Sequence, residues 1–495
     1  MKRFINPHLK SIKSKAISRI KGHKFFLNSF FFRHISILIL LCFASRISSA
    51  IYYFEDIDSI RFAMAAYDFD VMNSRPHFPG YPIFCFLSQL ILFITNNIAL
   101  TFSLIGSIST FIIIYYCDKI WLFYFPKRNL FFLLILFFNP FLWIMSNRYM
   151  PDLFALSLIV CGVYYLIKTL DNSSKLNNIL LGIIISILFG VRVSYIPFFL
   201  PIIFLFSKNT KYLILSFMLT NIFWLTPFIY SVGFYEIIEL FKNDLYGHFY
   251  KWGGTIISSD GSIFYRLTKI FTFIFVDFFS FWSYGRNWLT IINSFLIFFA
   301  ITFFFTSYQK KYKKENLKLL FSCFFIYFLW VLMFQNIQHK PRHLLPFIPL
   351  FCFVISLGVN SVYKKTKYGP IFSISLIIVH AFITTNIVSD HKKMSALSQI
   401  QAYLQQKKNN VIVISDDLKL FYWKNHYNDK NIKYYNKNQL NVLLEQNKIS
   451  EETVIYSTEI INLNKYKKVD TKYFYHNPYV NRLWSTLTLN KYEKY

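Results

Sequence analysis

The stretch of sequence that decides the fold runs from residue 54 to residue 84 and reads FEDIDSIRFAMAAYDFDVMNSRPHFPGYPIF. It directly follows the first long apolar segment of the chain. Five carboxylates lie in it: Glu55, Asp56, Asp58, Asp68 and Asp70. Carboxylates at the mouth of a membrane span are costly unless they are solvated, paired or used in function. A Pro-Gly-Tyr-Pro turn at 79–82 then directs the chain back toward lipid, so we expect 54–81 to be a functional loop.

The composition is typical of an integral membrane protein. The chain has 495 residues, of which 55% are hydrophobic, 21% aromatic and 16% charged. A soluble domain carries about 25% charged residues. The net charge of +29 does not indicate nucleic-acid binding, because Lys and Arg cluster in short loops between apolar runs and so set the orientation in the membrane. The six cysteines lie in or beside apolar runs without a CxxC pair, which favours buried thiols over disulfides or zinc.

The apolar runs approach the length of about 20 residues that a helix needs to cross a bilayer. They predict eleven spans, at residues 34–53, 98–117, 130–147, 152–170, 177–190, 193–207, 211–230, 288–307, 319–336, 343–360 and 370–388. Two further apolar stretches, 82–95 and 264–283, either both cross the membrane or both lie at its outer surface. The outer placement puts Lys119, Lys127 and Arg128 inside, as the positive-inside rule requires. We therefore favour eleven spans over thirteen.

This topology predicts a cytoplasmic N-terminus and an extracytoplasmic C-terminus, in a plasma membrane or a bacterial inner membrane. Three parts follow along the chain: a basic cytoplasmic tail at 1–33, a transmembrane domain at 34–388 with outer loops 54–81 and 231–287, and an extracytoplasmic domain at 389–495. In the last part, short apolar runs typical of buried strands alternate with segments typical of helices. The strands are expected at 411–415 and 453–457, and the helices at 394–407 and 438–447. The pattern predicts a small α/β domain with a parallel pair of strands.

The first candidate residues are Asp56 and Asp58, which lie two apart after the first apolar helix. Either carboxylate, held within hydrogen-bond distance, would serve as a base that removes a proton from an acceptor hydroxyl. A metal nearby is an open alternative, and a solvated start of the loop is the simpler interpretation. We expect Asp68 and Asp70 to be only solvated.

Two histidines lie in compact loops of the predicted outer face. His77 lies close to the acidic loop, in a segment with three prolines and a glycine, where Pro and Gly give a rigid turn. His248 lies in Gly-His-Phe-Tyr-Lys-Trp-Gly-Gly at 247–254, where it would line a sugar site or bind a metal. Both are candidates for substrate binding.

The remaining candidates are isolated charges between apolar runs. Arg148 and Asp152 flank a break between two spans, although Asp152 also suits a helix start, where the helix dipole favours a carboxylate. Arg192 needs an anionic partner such as a lipid phosphate, unless the side chain only extends to the interface. Arg342 and His343 lie at the outer end of a helix, as a phosphate clamp or an interfacial anchor.

Several of these motifs resemble the GT-C glycosyltransferases. The first loop carries the resemblance through Asp-Ser at 58–59, Ala-Ala-Tyr at 65–67 and His-Phe-Pro-Gly-Tyr-Pro at 77–82, and it is most similar to members of the protein O-mannosyltransferase type. Met-Pro-Asp at 150–152 resembles the second acidic motif of the superfamily. Arg-His-Leu-Leu-Pro at 342–346 resembles its late Arg-Tyr-x-x-Pro motif, with His in place of Tyr.

The resemblance implies a GT-C fold and a sugar donor linked to a polyprenyl phosphate. It also implies transfer with inversion, at the outer face, to a hydroxyl of a protein, lipid or glycan acceptor. Asp58 matches the catalytic aspartate that deprotonates the acceptor, which leaves Asp56 as a helper, and His77 matches the loop histidine. Ser59 stands where many relatives have the Glu of an Asp-Glu dyad, so the need for a divalent metal stays open. Transfer from a lipid phosphate agrees with the isolated cations Arg148, Arg192 and Arg342, because a phosphate leaving group needs positive charge at headgroup level.

Two other functions compete with this prediction. A transporter or flippase of lipid-linked sugars predicts ionisable residues in mid-membrane and inverted repeats. Here the polar motifs lie at one predicted face, and no repeat is visible. A polysaccharide polymerase or ligase also uses lipid-linked sugars, but its expected Arg-rich outer loop is not obvious. No P-loop, GxSxG, HExxH or Rossmann motif supports ATP-driven transport or hydrolase chemistry.

Overall fold

The computed structural model describes residues 35–204, 208–258, 262–307, 314–407, 411–426, 432–445, 453–462 and 466–494. The basic tail predicted at 1–33 lies outside the described residues. Six of the described helices are long and apolar enough to cross a membrane, and five shorter apolar helices accompany them. The prediction of a polytopic helical membrane protein with a small C-terminal sheet domain is confirmed.

The helices of the membrane part follow one another with short connections. They are α1 (Ile35–Ile47), α2 (Ile57–Tyr67), α3 (Pro82–Thr95), α4 (Ile98–Tyr124), α5 (Leu130–Phe137), α6 (Pro140–Met145), α7 (Asp152–Asp171), α8 (Lys175–Val191), α9 (Thr210–Val232), α10 (Phe234–Tyr246), α11 (Ile263–Thr272), α12 (Leu289–Ser307), α13 (Lys314–Phe334), α14 (Phe347–Lys365) and α15 (Gly369–His391). Short 3₁₀-helices at Val193–Phe204 and Pro341–Leu344 and π-helical turns at Gly247–Lys251 and Phe273–Phe278 connect some of them.

The first loop is ordered by the start of α2. The Asp56 carboxylate accepts from the backbone N–H of Ser59 at 2.9 Å, and the Ser59 hydroxyl accepts from the backbone N–H of Asp56 at 3.0 Å. This reciprocal capping box satisfies two backbone donors that a helix start leaves without partners. α2 therefore begins at Ile57, which places Asp58 in its first turn.

α3 corresponds to the apolar stretch 82–95, whose placement the sequence left open. Its N-terminal end follows Tyr81, which contacts His77 of the first loop. Its C-terminal end is joined to α4 through Asn96 and Asn97 alone, and the first turns of α4 contact Asn147 through Ser103 at 2.9 Å. Residues on both sides of α3 thus contact residues of the predicted outer face, His77 and Asn147, and the number of spans stays a prediction.

The span predicted at 130–147 is not one continuous helix, and its crossing of the membrane stays a prediction. The chain breaks between α5 and α6, because Pro140 has no N–H to continue the backbone ladder. The side chain of Asn139 supplies hydrogen bonds at the break. Its oxygen accepts from the N–H of Leu142 at 3.0 Å, and its amide donates to the carbonyl of Phe278 at 2.9 Å. The break is therefore hydrogen-bonded to Phe278, the last residue of the π-helical turn at Phe273–Phe278.

The C-terminal domain is a mixed sheet with helices α16 (Ala396–Gln405), α17 (Asp417–His426) and α18 (Lys437–Glu445). Its strands are β1 (Val411–Ile414), β2 (Ile432–Tyr435), β3 (Val454–Ser457), β4 (Tyr466–Tyr475) and β5 (Thr486–Lys494), in the order β2-β1-β3-β5-β4. β1 is parallel to β2 and β3, whereas β5 is antiparallel to β3 and β4. The predicted strands and their parallel pairing are confirmed, while β2, β4, β5 and α17 were not predicted.

The backbone of α4 at Gly106 lies very close to the backbone of Ser146, at the start of the loop between α6 and α7. A Cβ added at Gly106 in α4 would lie 1.7 Å from the carbonyl oxygen of Ser146. At Gly162 in α7 an added Cβ would instead meet the ring of Phe199, at 2.6 Å. A side chain can shift, whereas a backbone carbonyl in a packed core cannot do so without moving its neighbours.

We predict that Gly106→Ala destabilises the protein by about 2 kcal/mol, because overpacking of a close helix contact costs about 1–3 kcal/mol. The measurement is thermal unfolding of the purified protein in detergent. Gly162→Ala is the matched control and is expected to have a clearly smaller effect. Equal unfolding midpoints for Gly106→Ala and the wild type would show that the two backbones are not in close contact.

Candidate active site

The polar motifs of the sequence gather at one end of the helix bundle, beneath the C-terminal domain. Five of the predicted site residues form a continuous buried network: Asp58, Asp152, Arg192, Arg342 and His343. Two more, Asp56 and Arg148, lie beside it and line the same small cavity as Arg342. Segments far apart in the sequence thus meet in one site.

Asp58 lies among three cations. Its Oδ2 accepts from Arg342 at 2.5 Å and lies 3.6 Å from Nζ of Lys340, while its Oδ1 lies 3.6 Å from Arg61. Burial alone would raise the pKa of this carboxyl. The charges of Lys340 and Arg342 outweigh burial and hold the pKa well below its usual range. Asp58 is therefore ionised.

Asp152 is shared between two arginines. Its Oδ2 lies 3.1 Å from Arg192 and its Oδ1 lies 3.6 Å from Arg342, and the carboxylate is almost fully buried. Neither oxygen makes a hydrogen bond within the described part of the chain, and the Nε atoms of both arginines also lack one. Asp152 is therefore held to the two arginines by charge rather than by hydrogen bonds, and its oxygens and the two Nε atoms retain unused hydrogen-bonding capacity.

The two histidines nearest to this network are neutral. Nδ1 of His343 lies 3.3 Å from Arg192, and burial, together with Arg192 and Arg342, puts the pKa of His343 well below its ordinary value. His77 contacts the hydroxyl of Tyr81 at 3.0 Å, and burial lowers its pKa to about 3. Neither ring adds positive charge at neutral pH.

Arg148 and Asp56 form the side of the site that faces the C-terminal domain. Nε of Arg148 donates to Glu55 at 2.9 Å, and Asp56 caps α2 with one oxygen. Burial raises the pKa of Asp56; the charge of Arg148 opposes this, and that of Asp58 adds to it. Arg482 of the C-terminal domain lines the cavity opposite these groups.

His248 is not part of this ion-pair network. Its Nε2 donates to the carbonyl of Phe334 at 2.7 Å, at the C-terminal end of α13. This contact satisfies a carbonyl that a helix end leaves without a partner. The structure therefore gives His248 a local helix-capping contact, and substrate binding by His248 stays a prediction.

The expectation for the acidic tip of the first loop is corrected. We expected Asp68 and Asp70 to be only solvated, but both pair with Arg75, and Asp70 does so at 2.7 Å. The Asp68 side chain is 66% exposed, so its pairing is a surface one. The backbones of Asp70 and Arg75 form a bridge that brings these side chains together.

The sequence did not single out Glu55, Arg61, Lys340 or His391 as site residues. Lys340 lies two positions before Arg342, just outside the motif at 342–346, and Arg61 lies one turn after Asp58 in α2, so sequence proximity was an available signal. Glu55 was visible only as one of five loop carboxylates. His391 lies at the end of α15, 336 positions from its partner, and no local pattern marks it.

A divalent metal was left open by the sequence. Among the described residues, no group of three or more His, Cys, Asp or Glu side chains is arranged to hold a metal ion. Asp58 and Asp152, the carboxylates of the network, face arginine and lysine side chains. This set of side chains does not fit a metal site.

Comparisons with known proteins identify the fold. No family model matches the chain, and no curated protein matches it. Among solved structures, the chain is similar to ArnT from Cupriavidus metallidurans bound to undecaprenyl phosphate, with a TM-score of 0.56 at 10% identity over 93% of this chain and 98% of that chain. The same ArnT in the apo state gives a TM-score of 0.50 at 10% identity, over 86% and 92%. The chain therefore has an ArnT-like fold, which confirms the fold class expected from the sequence.

We predict that Asp152→Asn destabilises the protein by about 3–5 kcal/mol, the cost of removing one partner from a buried ion pair. The reason is that Arg192 and Arg342 would keep their charges in a buried site that has lost a carboxylate. Thermal unfolding measures the effect. The control is Asp68→Asn, which removes the exposed ion pair between Asp68 and Arg75. The loss of such a surface pair costs about 0–1 kcal/mol. A variant at position 152 as stable as the control would contradict the ion-pair assignment.

Proposed function

We propose that the protein is an inverting glycosyltransferase that moves a sugar from a polyprenyl-phosphate donor to a hydroxyl acceptor at the outer face of the membrane. The observation that carries the proposal is a surplus of positive charge around two buried carboxylates. Four cations surround two carboxylates there: Arg61, Arg192, Lys340 and Arg342 against Asp58 and Asp152. The surplus of two unit charges suits a phosphate.

The membrane part offers a route for a lipid donor. An apolar cavity of about 630 Å³ is lined by side chains of α4, α7, α11, α13 and α14. It reaches Phe347, whose ring lies 5.9 Å from that of Tyr327, and the Tyr327 hydroxyl donates to the carbonyl of His343 at 2.6 Å. A polyprenyl chain in this cavity would bring its phosphate to the cationic network. The ArnT structure supports this assignment, because it was determined with undecaprenyl phosphate.

The reaction needs a base and stabilisation of the leaving group. The acceptor oxygen attacks C1 of the sugar while the bond from C1 to the phosphate oxygen breaks, which inverts C1. Asp58 takes the proton of the acceptor hydroxyl, and the leaving phosphate keeps the electron pair of the broken bond. Arg342, Lys340 and Arg192 stabilise the charge that develops on that oxygen.

Asp58 can act as the base only when its contacts with Arg342 and Lys340 are weakened. A carboxylate held by Arg342 and Lys340 is a weak base, because those charges depress its pKa. A donor phosphate competes for the same two cations. As they turn to the phosphate, Asp58 loses its partners and its basicity rises, so the donor prepares the site for the acceptor.

We place the active site and the C-terminal domain on the extracytoplasmic side of a plasma membrane or bacterial inner membrane, with the N-terminus in the cytoplasm. The support is the distribution of Lys and Arg between loops. The acceptor is a hydroxyl of a protein, lipid or glycan, and Arg148, His77 and His248 are our further candidates for binding substrate.

We predict that Asp58→Asn lowers sugar transfer by about 10²–10⁴-fold, the usual contribution of a positioned base. The assay uses the purified full chain in lipid nanodiscs with a panel of radiolabelled undecaprenyl-phosphate sugars and hydroxyl acceptors. Binding of undecaprenyl phosphate is expected to remain, because Arg192, Lys340 and Arg342 are unchanged. Asp68→Asn is the matched control from the same loop and is expected to transfer sugar like the wild type.

Two results would overturn the proposal. Wild-type transfer by Asp58→Asn would show that another group is the base. Movement of the lipid-linked sugar across a vesicle membrane, with the sugar–phosphate bond intact and no product formed, would identify a flippase instead.

A further inference from the structure

Glu55 is a buried carboxylate that takes no part in the reaction proposed above. Its side chain has no exposed surface. Its Oε2 accepts from Nε of Arg148 at 2.9 Å, and its Oε1 lies 2.9 Å from Nε2 of His391. Burial alone would raise its pKa, but Arg148 and His391 outweigh burial and lower the pKa to about 2. Glu55 is thus an ionised group with two partners from distant parts of the chain.

The same loop is fastened to the C-terminal region by its backbone. The Asn481 amide donates to the carbonyl of Glu55 at 2.6 Å, and the Ser395 hydroxyl donates to the carbonyl of Phe54 at 2.6 Å. Arg148 also donates to the carbonyl of Val480 at 3.0 Å. These contacts give Arg148 a fixed place between the first loop and the C-terminal domain.

The place of Arg148 matters because Asp56 lies beside it. Both residues line the cavity under the C-terminal domain, and the charge of Arg148 acts on the Asp56 carboxyl. Oδ1 of Asp56 is bonded to Ser59, whereas Oδ2 makes no hydrogen bond in the described part of the chain. A neutral residue 55 would leave Arg148 with a buried, uncompensated charge, and Asp56 is a carboxylate that lines the same cavity and, among the described residues, carries no cation of its own at its Oδ2.

We propose that Glu55 is a positioning residue: together with His391 at the end of α15 it holds Arg148 away from Asp56, and Asn481 and Val480 make the C-terminal domain part of that arrangement. The inference rests on the proposed function, because its consequence is that Asp56 and the cavity stay open to the acceptor. It gives the C-terminal domain a role in the reaction through Arg148. The competing explanation is that Glu55 only docks the domain.

The first test is kinetic. Glu55→Gln is expected to lower kcat by about 30-fold and to change the donor KM by less than about threefold, because the donor phosphate binds elsewhere. The fraction of protein that binds undecaprenyl phosphate, measured by native mass spectrometry, corrects for misfolded material. His391→Gln retains a donor for Glu55 and is expected to keep most of the activity. Ser395→Ala removes a docking bond of the same loop without touching Glu55 or Arg148, and is expected to match the wild type.

A double variant separates positioning from docking. Groups that act as one unit give effects that do not add. Glu55→Gln combined with Arg148→Met is therefore expected to be no slower than Arg148→Met alone, because no cation remains to capture Asp56. A double variant whose loss is the product of the two single losses would overturn the proposal, and so would wild-type kcat in Glu55→Gln.

The second test does not depend on the activity. A cryo-EM structure of Glu55→Gln in nanodiscs is expected to show the Arg148 guanidinium bonded to Asp56. Arg148 in its original place, with the C-terminal domain displaced, would show that Glu55 only docks the domain. If the wild-type protein transfers no sugar, the proposed function fails while this structure still decides the role of Glu55.

Discussion

The rest of the site depends on the position of Arg342 between Asp58 and Asp152. One guanidinium contacts a carboxylate of the first loop and a carboxylate at the start of α7. The chain separations are large: Asp58 lies 284 positions before its partner. Because unpaired charges in a buried site cost several kcal/mol each, the network stabilises the protein only when all three segments are in place. Arg192 extends it to the end of α8 through its contact with Asp152.

Much of the site could be found in the sequence because a charge within an apolar run is conspicuous. Asp58, Asp152, Arg192 and Arg342 were found in this way, and the topology gathered them at one predicted face. Their pairings could not be found, since nothing local distinguishes one long-range partner from another. His391 shows the limit: it is the last residue of a long apolar helix, and only the folded chain brings it to Glu55.

The fold shows the same division between local signals and tertiary context. β1 and β3 were predicted because short apolar runs, four residues in β1 and three in β3, are typical of strands buried within a sheet. β4 was missed because its side chains are mostly exposed and rich in Lys, so that pairing with β5 rather than burial makes it a strand. The break between α5 and α6 was signalled by Asn139-Pro140. The apolar residues on both sides concealed it, and the carbonyl of Phe278 that completes it comes from a distant segment.

The charges of the site also suggest why two carboxylates lie so close together in the first loop. Asp58 balances cations that a phosphate is proposed to take over, so its environment changes when the donor binds. Asp56 has one oxygen committed to the helix cap, and its pKa is raised, with Arg148 held by Glu55 instead. In the proposed reaction a negative charge arriving at Arg342 would therefore act differently on the two groups: Asp58 would exchange its partners, whereas Asp56 would keep its helix cap. In the proposed reaction the donor would change the partners of Asp58 while the start of α2 stays in place. The site would then combine positioned groups with a carboxylate that can become a stronger base, and transfer from a lipid phosphate to a hydroxyl requires both.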